Sequence, residues 1–284
     1  MRSTRWRGGP SSRPPIRTAT TSGSPTISSD PLAAKFQAWR AAGHCALIPY
    51  LTAGYPEPGA TSDLLDTLAR NGADIIELGV PFSDPVADGP TIQRASQVAL
   101  EQGATLDWTL GQLRRFRAKH DTPVVIFSYI NPILRYGRHR FIEDAVAAGA
   151  QGVLITDLPV GADATLESEF EASPLALIRL IAPTTDVQRV REIAARAQGF
   201  IYYIARMGVT GARVELPAEL LDDVRALKAE TDVPVAVGFG VSSRAQVQAI
   251  SEVADAAVVG SALIDAISAE GVRGAERFLR SLTQ

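Results

Sequence analysis

The sequence predicts an α/β fold, a (β/α)8 TIM barrel carrying an extra N-terminal helix and an inserted helix after the second strand. Three observations predict it. Eight short apolar runs of strand character recur from residue 46 onward, and amphipathic helical stretches separate them. The length of 284 residues, 46% of them hydrophobic, suits one core of the size such barrels have, about 250 residues.

The strands are expected at Ala46 to Leu51, Asp74 to Leu78, Val124 to Tyr129, Gly152 to Thr156, Ala176 to Ile181, Gly199 to Ile204, Val233 to Val237 and Ala256 to Val259. Helical periodicity falls at Thr61 to Asn71, Thr91 to Gln102, Leu106 to Lys119, Arg138 to Ala148, Val187 to Ala197, Ala218 to Glu230, Arg244 to Glu252 and Gly274 to Leu282. A helix at Pro31 to Ala42 precedes the first strand and is placed to plug the N-terminal end of the barrel. The gap between the second and third strands is the longest and holds two helices, which enlarges a loop on the face where barrels carry their chemistry. Residues 31–284 are read as one barrel domain.

That loop begins in an unusual way. The run Asp74-Ile75-Ile76-Glu77-Leu78 is apolar, yet it carries a carboxylate, Glu77, where the run gives out. Beyond it Pro81, Pro85 and Pro90 exclude a continuing helix or central strand, so Val80 to Gly89 must be a stiffened loop, with Asp84 and Asp88 in it. Taken alone, Glu77 also reads as a strand-end carboxylate paired with an arginine, and the two aspartates as solvated loop acids.

Residues 1–30 differ in kind. Arg, Ser, Thr, Pro and Gly dominate, Asp30 is the first acid, and no core can form there, so the segment is read as a disordered tail. Its Arg-rich, acid-poor character also resembles an organelle transit peptide, without an amphipathic pattern, and an over-extended reading frame would look the same. The location is otherwise expected to be cytoplasmic. The net charge of −3 and pI near 5.7 give no general reason to expect nucleic acid or an anionic membrane as partner. No apolar run approaches the roughly 20 residues that span a bilayer. One cysteine, Cys45, excludes an internal disulfide and a Cys-rich metal centre.

Polar groups and glycines collect where the strands end. Glu77, Tyr129, Asn131, Asp157, Thr184, Thr185, Tyr202 and Arg206 mark strands two to six. Gly208-Val209-Thr210-Gly211-Ala212, Gly238-Phe239-Gly240 and Gly260-Ser261 follow strands six, seven and eight, the usual phosphate-binding quarter of a barrel. Each glycine pair alone is explained by a strand-to-helix turn; three at these places point to a phosphate. Ser261 is a candidate N-cap and phosphate donor. No Gly-x-x-x-x-Gly-Lys-Ser/Thr motif is present, which argues against a nucleoside triphosphate.

From about Phe36 onward the chain resembles the tryptophan synthase alpha subunit family. The resemblance is carried by Pro49-Tyr50-Leu51-Thr52-Ala53-Gly54-Tyr55-Pro56, by Glu77 to Pro90, by Arg206-Met207-Gly208-Val209-Thr210-Gly211, by Gly238-Phe239-Gly240-Val241-Ser242-Ser243 and by Gly260-Ser261. It implies cleavage of indole-3-glycerol phosphate to indole and glyceraldehyde 3-phosphate. By that resemblance Glu77 is the general acid/base and Asp88 the second catalytic carboxylate. Tyr50, Tyr129, Tyr202, Thr210, Gly211, Gly238, Gly240, Gly260 and Ser261 bind substrate, and Arg206 to about Leu216 forms a mobile cover, with Thr210 linking it to the Asp88 loop. The resemblance also implies a beta-subunit partner in an alpha2-beta2 tetramer, met through Pro81, Asp84, Pro85 and Asn131. Pyridoxal phosphate is expected only on that partner, and no cofactor and no metal on this chain.

The remaining residues agree with that chemistry. A retro-aldol cleavage commonly holds its carbanion on a Schiff-base lysine or a metal. The only lysines, Lys35, Lys119 and Lys228, are expected on helices, and His44, His120 and His139 form no ligand cluster. An indole protonated at C3 absorbs the electrons itself. Met207 departs from the small hydroxyl residue common in the family, and Arg179 is unexplained inside an apolar strand. Two other readings stay open: a non-catalytic subunit that only activates a beta partner, and another sugar-phosphate barrel enzyme.

Overall fold

The computed structural model describes residues 30–204, 216, 218–238 and 240–283. Among them, eight parallel strands close into a barrel in sequence order: β1 (Ala46–Thr52), β2 (Ile76–Gly79), β3 (Val124–Ser128), β4 (Gly152–Ile155), β5 (Ala176–Ile181), β6 (Ile201–Ile204), β7 (Val235–Gly238) and β8 (Ala256–Val259). The helices are α1 (Pro31–Ala41), α2 (Ala60–Arg70), α3 (Pro90–Glu101), α4 (Leu106–Arg117), α5 (Ile130–Tyr136), α6 (Arg138–Ala148), α7 (Ala164–Glu171), α8 (Val187–Arg196), α9 (Ala218–Glu230), α10 (Arg244–Ser251) and α11 (Ser261–Thr283). The barrel, the leading helix and the pair α3–α4 between β2 and β3 are as the sequence predicts.

Strand alternation sorts the core into two layers. Ile48, Ile75, Val125, Leu154, Ile178 and Val258 point into the barrel, while Leu47, Ile76, Ile126, Val153, Leu177 and Val259 face the helices. Helix α1 closes the bottom. Its Leu32 and Phe36 are buried in the inner layer, and the Phe36 ring lies 5.5 Å from that of Phe200, just ahead of β6. Asp30 fixes this plug twice: one carboxylate oxygen caps α1 by accepting from the Leu32 and Ala33 amides, and the other accepts from the Gly199 amide at 2.6 Å.

Helices α5 and α7, seven and eight residues long, were not singled out by periodicity, because so short a segment carries too few apolar positions. Ser261 is the first residue of α11, and the Ile264 amide donates to the Gly260 carbonyl, so the cap position belongs to Gly260 and not to Ser261. The 23-residue α11 is broken at Gly271, with φ 59° and ψ −137°. Lys119 lies beyond the end of α4 rather than on it.

Arg179 finds its partners only in three dimensions. It points out of β5 toward α7 and α8, where its Nη2 donates to Glu167 at 3.0 Å and to Glu171 at 2.6 Å. Arg196 of α8 completes the cluster at 3.1 Å from Glu167 and 3.0 Å from Glu171. The other oxygen of Glu167 accepts from the Gly161 amide at 2.7 Å, so one buried carboxylate ties β5, α7, α8 and the loop after β4 together.

Candidate active site

Glu77 stands on β2, directly across from Tyr50 on β1 and Val125 on β3, with its side chain on the inner face at the C-terminal end of the barrel. It is fully buried, and neither carboxyl oxygen has a hydrogen-bond partner among the described residues. Tyr50 and Phe127 flank the strand that carries it and meet edge to face, with ring centroids 5.1 Å apart. Burial without a cation or donor disfavours the ionised carboxyl, and the pKa is pushed up to about 8. Near neutral pH Glu77 is thus a protonated acid whose hydrogen-bonding capacity is unspent. The strand-end ion pair that the sequence also allowed is not made among the described residues.

Asp88 approaches from the loop after β2. Tyr129 holds that loop: its hydroxyl accepts from the Ala87 amide at 2.9 Å and hydrogen-bonds Asp88. The loop braces itself further through the Asp88 amide to the Pro85 carbonyl, 3.0 Å, and Gln93 Nε2 to the Asp88 carbonyl, 3.0 Å. Half-buried, Asp88 has its pKa raised by burial to about 6, with the Tyr129 hydrogen bond pulling the other way. Two carboxyls in different surroundings therefore titrate apart: at pH 7 Glu77 keeps its proton and Asp88 has lost most of its own.

Two phenols border the same space. Tyr50 and Tyr202 are held protonated first by burial and then by the nearby charge of Asp88. Each ring leans along its neighbouring strand onto a glycine two residues past its own register partner: Tyr50 pairs with Glu77 and rests on Gly79, and Tyr202 pairs with Ala236 and rests on Gly238. A Cβ on Gly79 would sit 2.2 Å from the Tyr50 hydroxyl, and one on Gly238 would sit 2.4 Å from the Tyr202 hydroxyl. Gly238 has a steric duty here as well as any toward a phosphate. Gly79→Ala is accordingly expected to lower unfolding free energy by about 1–3 kcal/mol and to reduce turnover, since a buried ring beside Glu77 has to move; urea unfolding and initial rates check it.

The other expected positions divide. Gly240 has φ 63°, a conformation that favours glycine, and it turns the chain between β7 and α10. Gly260 and Ser261 start α11 next to β8, and a Cβ on Gly260 would meet only the edges of Ile92 and Tyr50, at 3.7 and 3.8 Å. Arg206, Met207, Thr210, Gly211 and Phe239 lie outside the described residues, so neither the cover nor the Thr210 link to the Asp88 loop is addressed. Pro81 is buried, Pro85 half-buried, and Asp84 and Asn131 exposed. Near them, Val86, 82% exposed, and Leu134 are the large hydrophobic residues left in solvent among those described. Phe127 and Gly79 were not picked out from the sequence; Phe127 was discoverable as the inward neighbour of Val125 on β3, whereas the need for glycine at 79 is visible only once Tyr50 is placed. No group of three or more His, Cys, Asp or Glu among the described residues is arranged to hold a metal.

Comparison with known proteins bears on this geometry. Residues 36–283 match the family model described as tryptophan synthase alpha chain. The chain is 46% identical over 239 residues to the tryptophan synthase alpha chain of Acidiphilium cryptum, covering 84% of this chain and 87% of that one. It is 44% identical over 252 residues to that of Chloroflexus aggregans, covering 87% and 94%. Among solved structures, one of Mycobacterium tuberculosis tryptophan synthase superposes with a TM-score of 0.83 at 38% identity, covering 89% of this chain and 96% of that one. The tryptophan synthase subunit alpha of Legionella pneumophila gives 0.79 at 34%, covering 88% and 96%.

Proposed function

Since the chain belongs to the tryptophan synthase alpha chain family, we propose that Glu77 and Asp88 divide between them the proton transfer and charge stabilisation of its reaction. That reaction is the cleavage of indole-3-glycerol phosphate to indole and glyceraldehyde 3-phosphate in tryptophan biosynthesis, and the chain is a carbon–carbon lyase. The observation that carries the assignment is a fully buried carboxyl at the barrel mouth, without a partner among the described residues, and a second acid that ionises more readily.

The protonated Glu77 gives its proton to C3 of the indole ring. The lone pair of the ring nitrogen moves into the ring, and positive charge develops at N1–H. Ionised Asp88 stabilises that charge. The Glu77 carboxylate then takes the proton of the side-chain hydroxyl, the C3–C3′ bond breaks, and its electrons return to the ring as the aldehyde forms. Glu77 ends protonated, as it began, and no external base is consumed. Tyr50 and Tyr202 shape the indole site. Gly238, Gly240, Gly260 and Ser261, with Thr210 and Gly211, receive the phosphate through backbone amides and a helix N-terminus.

A pH profile tests the division of roles. The reaction needs Glu77 protonated and Asp88 ionised. Turnover is therefore expected to fall as pH drops through about 6 and again as it rises through about 8. Asp88→Asn should lower turnover and abolish the acid limb while leaving the basic limb in place. An acid limb that survives in Asp88→Asn would remove Asp88 from the scheme.

The partner is a beta subunit. We further propose an alpha2-beta2 tetramer, with Pro81, Asp84, Pro85 and Asn131 at the contact and the exposed Val86 beside them as apolar surface suited to being covered. Family membership is consistent with a chain that holds no cofactor, and pyridoxal phosphate is assigned to the beta subunit. No helix among the described residues is long and apolar enough to cross a membrane; a cytoplasmic location is part of the proposal.

A further inference from the structure

Away from Glu77, between the barrel wall and α8, lies a cavity of about 320 Å³. Ile155, Val160, Ile181 and Ile193 give it apolar walls, and Arg179 and Arg189 are the ionisable residues that line it; no carboxylate does. Glu77, Asp88 and Tyr202 take no part in it. Its volume lies at the lower end of the range for small-molecule sites, about 300–1,000 Å³.

Arg179 is 2% exposed, and its hydrogen bonds are only partly made. Nη2 is held by Glu167 and Glu171, but Nε and Nη1 have no partner among the described residues. A guanidinium has donors and no acceptor, so only an acceptor can satisfy them. Leaving buried donors of a charged group unpaired is unfavourable, which rewards any occupant that supplies one. Arg189, at the same cavity, uses its guanidinium on Glu192 and on the Val160 carbonyl. Both arginines are already ion-paired, so it is the open guanidinium donors of Arg179 and not a net positive charge that favour a carboxylate as the polar end of an occupant; with isoleucine and valine walls, its remainder is best apolar.

We propose that this cavity is a binding site for a small apolar carboxylate, its carboxylate received by the unpartnered nitrogens of Arg179 and its hydrocarbon or aromatic body packed against Ile155, Val160, Ile181 and Ile193. Neither Glu77 nor Asp88 lines it, although Thr156, which does, hydrogen-bonds the Tyr129 that holds the Asp88 loop.

The probe is 3-phenylpropionate, with 3-phenylpropionamide as its neutral counterpart, studied by calorimetry on the full chain and by crystal soaking. The acid is expected in the cavity with a carboxylate oxygen about 3 Å from Arg179 Nε or Nη1, and at least about 10-fold tighter than the amide. Val160→Trp fills the space without touching the ion pairs and is expected to weaken binding at least about 10-fold. Arg179→Met should do the same, and if it fails to fold, Val160→Trp decides alone. Acid and amide binding equally, unchanged affinity in Val160→Trp, or density for the acid anywhere but this cavity would each overturn the proposal.

Discussion

Glu77→Gln is expected to lower indole release by about 10³-fold or more, because the amide can neither deliver a proton to C3 nor take one from the hydroxyl. Phosphate binding should survive, since the glycine loops after β7 and β8 are remote in sequence and untouched. The same substitution should alter stability in the opposite sense. Unfolded, the carboxyl titrates at about 4.5; folded, burial raises it to about 8. Between these values the folded chain binds more protons than the unfolded one. The contribution of Glu77 is therefore fully present below 4.5 and is lost as pH rises toward 8. Glutamine does not titrate, so the variant should lose less thermal stability than the parent between pH 5 and pH 8. Thermal unfolding across that range, together with indole release at one fixed pH, measures both effects. A variant that turns over normally would remove Glu77 from the chemistry, and an unchanged pH slope of stability would show that Glu77 is ionised in the folded state.

Glu167→Ala is expected to destabilise the fold by about 3–5 kcal/mol, the usual loss when a buried ion pair is broken from one side. The carboxylate is fully buried, and its removal strips one partner from Arg179 and one from Arg196, and a hydrogen bond from the Gly161 amide. For a chain of this size the midpoint of thermal unfolding should fall on the order of 10 °C. Asp222→Ala is the matched control. Its partner Arg225 and Asp222 itself are 54% and 74% exposed, so that pair is screened by water and its loss should be within about 0.5 kcal/mol. Replacing Arg179 and Glu167 together by Met and Leu should recover part of the loss, because no charge is then left buried against the apolar layer. Equal shifts for Glu167→Ala and Asp222→Ala would mean that the buried cluster carries no special weight.

Much of the barrel was legible in the chain because its signals are local. Strand after strand is a four- to seven-residue apolar run, and most helices are long enough for periodicity to speak. Strand ends were less legible: β2 begins at Ile76, two residues later than expected, since Asp74 instead accepts from the Leu47 amide and from His44. The acids of the candidate site were legible unequally: Glu77 stands out as a carboxylate at the end of an apolar run, whereas Asp88 alone reads as a solvated loop acid and is singled out only by the resemblance to the family. What they do to one another was not. Which carboxyl keeps its proton depends on how much water and how many donors reach it, and that is set by Tyr50 and Phe127 on neighbouring strands and by Tyr129 just past β3.

The sequence by itself determined the fold class, the order of its elements and the anomaly at Glu77, because periodicity and residue type are properties of neighbouring positions; Asp88 needed the family resemblance beside it. Only the tertiary structure decided that Tyr129 holds the Asp88 loop, that Gly79 and Gly238 are glycine because phenol rings cross them, and that Arg179 is an ion-pair member that also lines a cavity. Each of these is a contact between residues far apart in the chain. Hydrogen bonds, clashes and desolvation are set by distance in space, and closing the barrel is what fixes those distances.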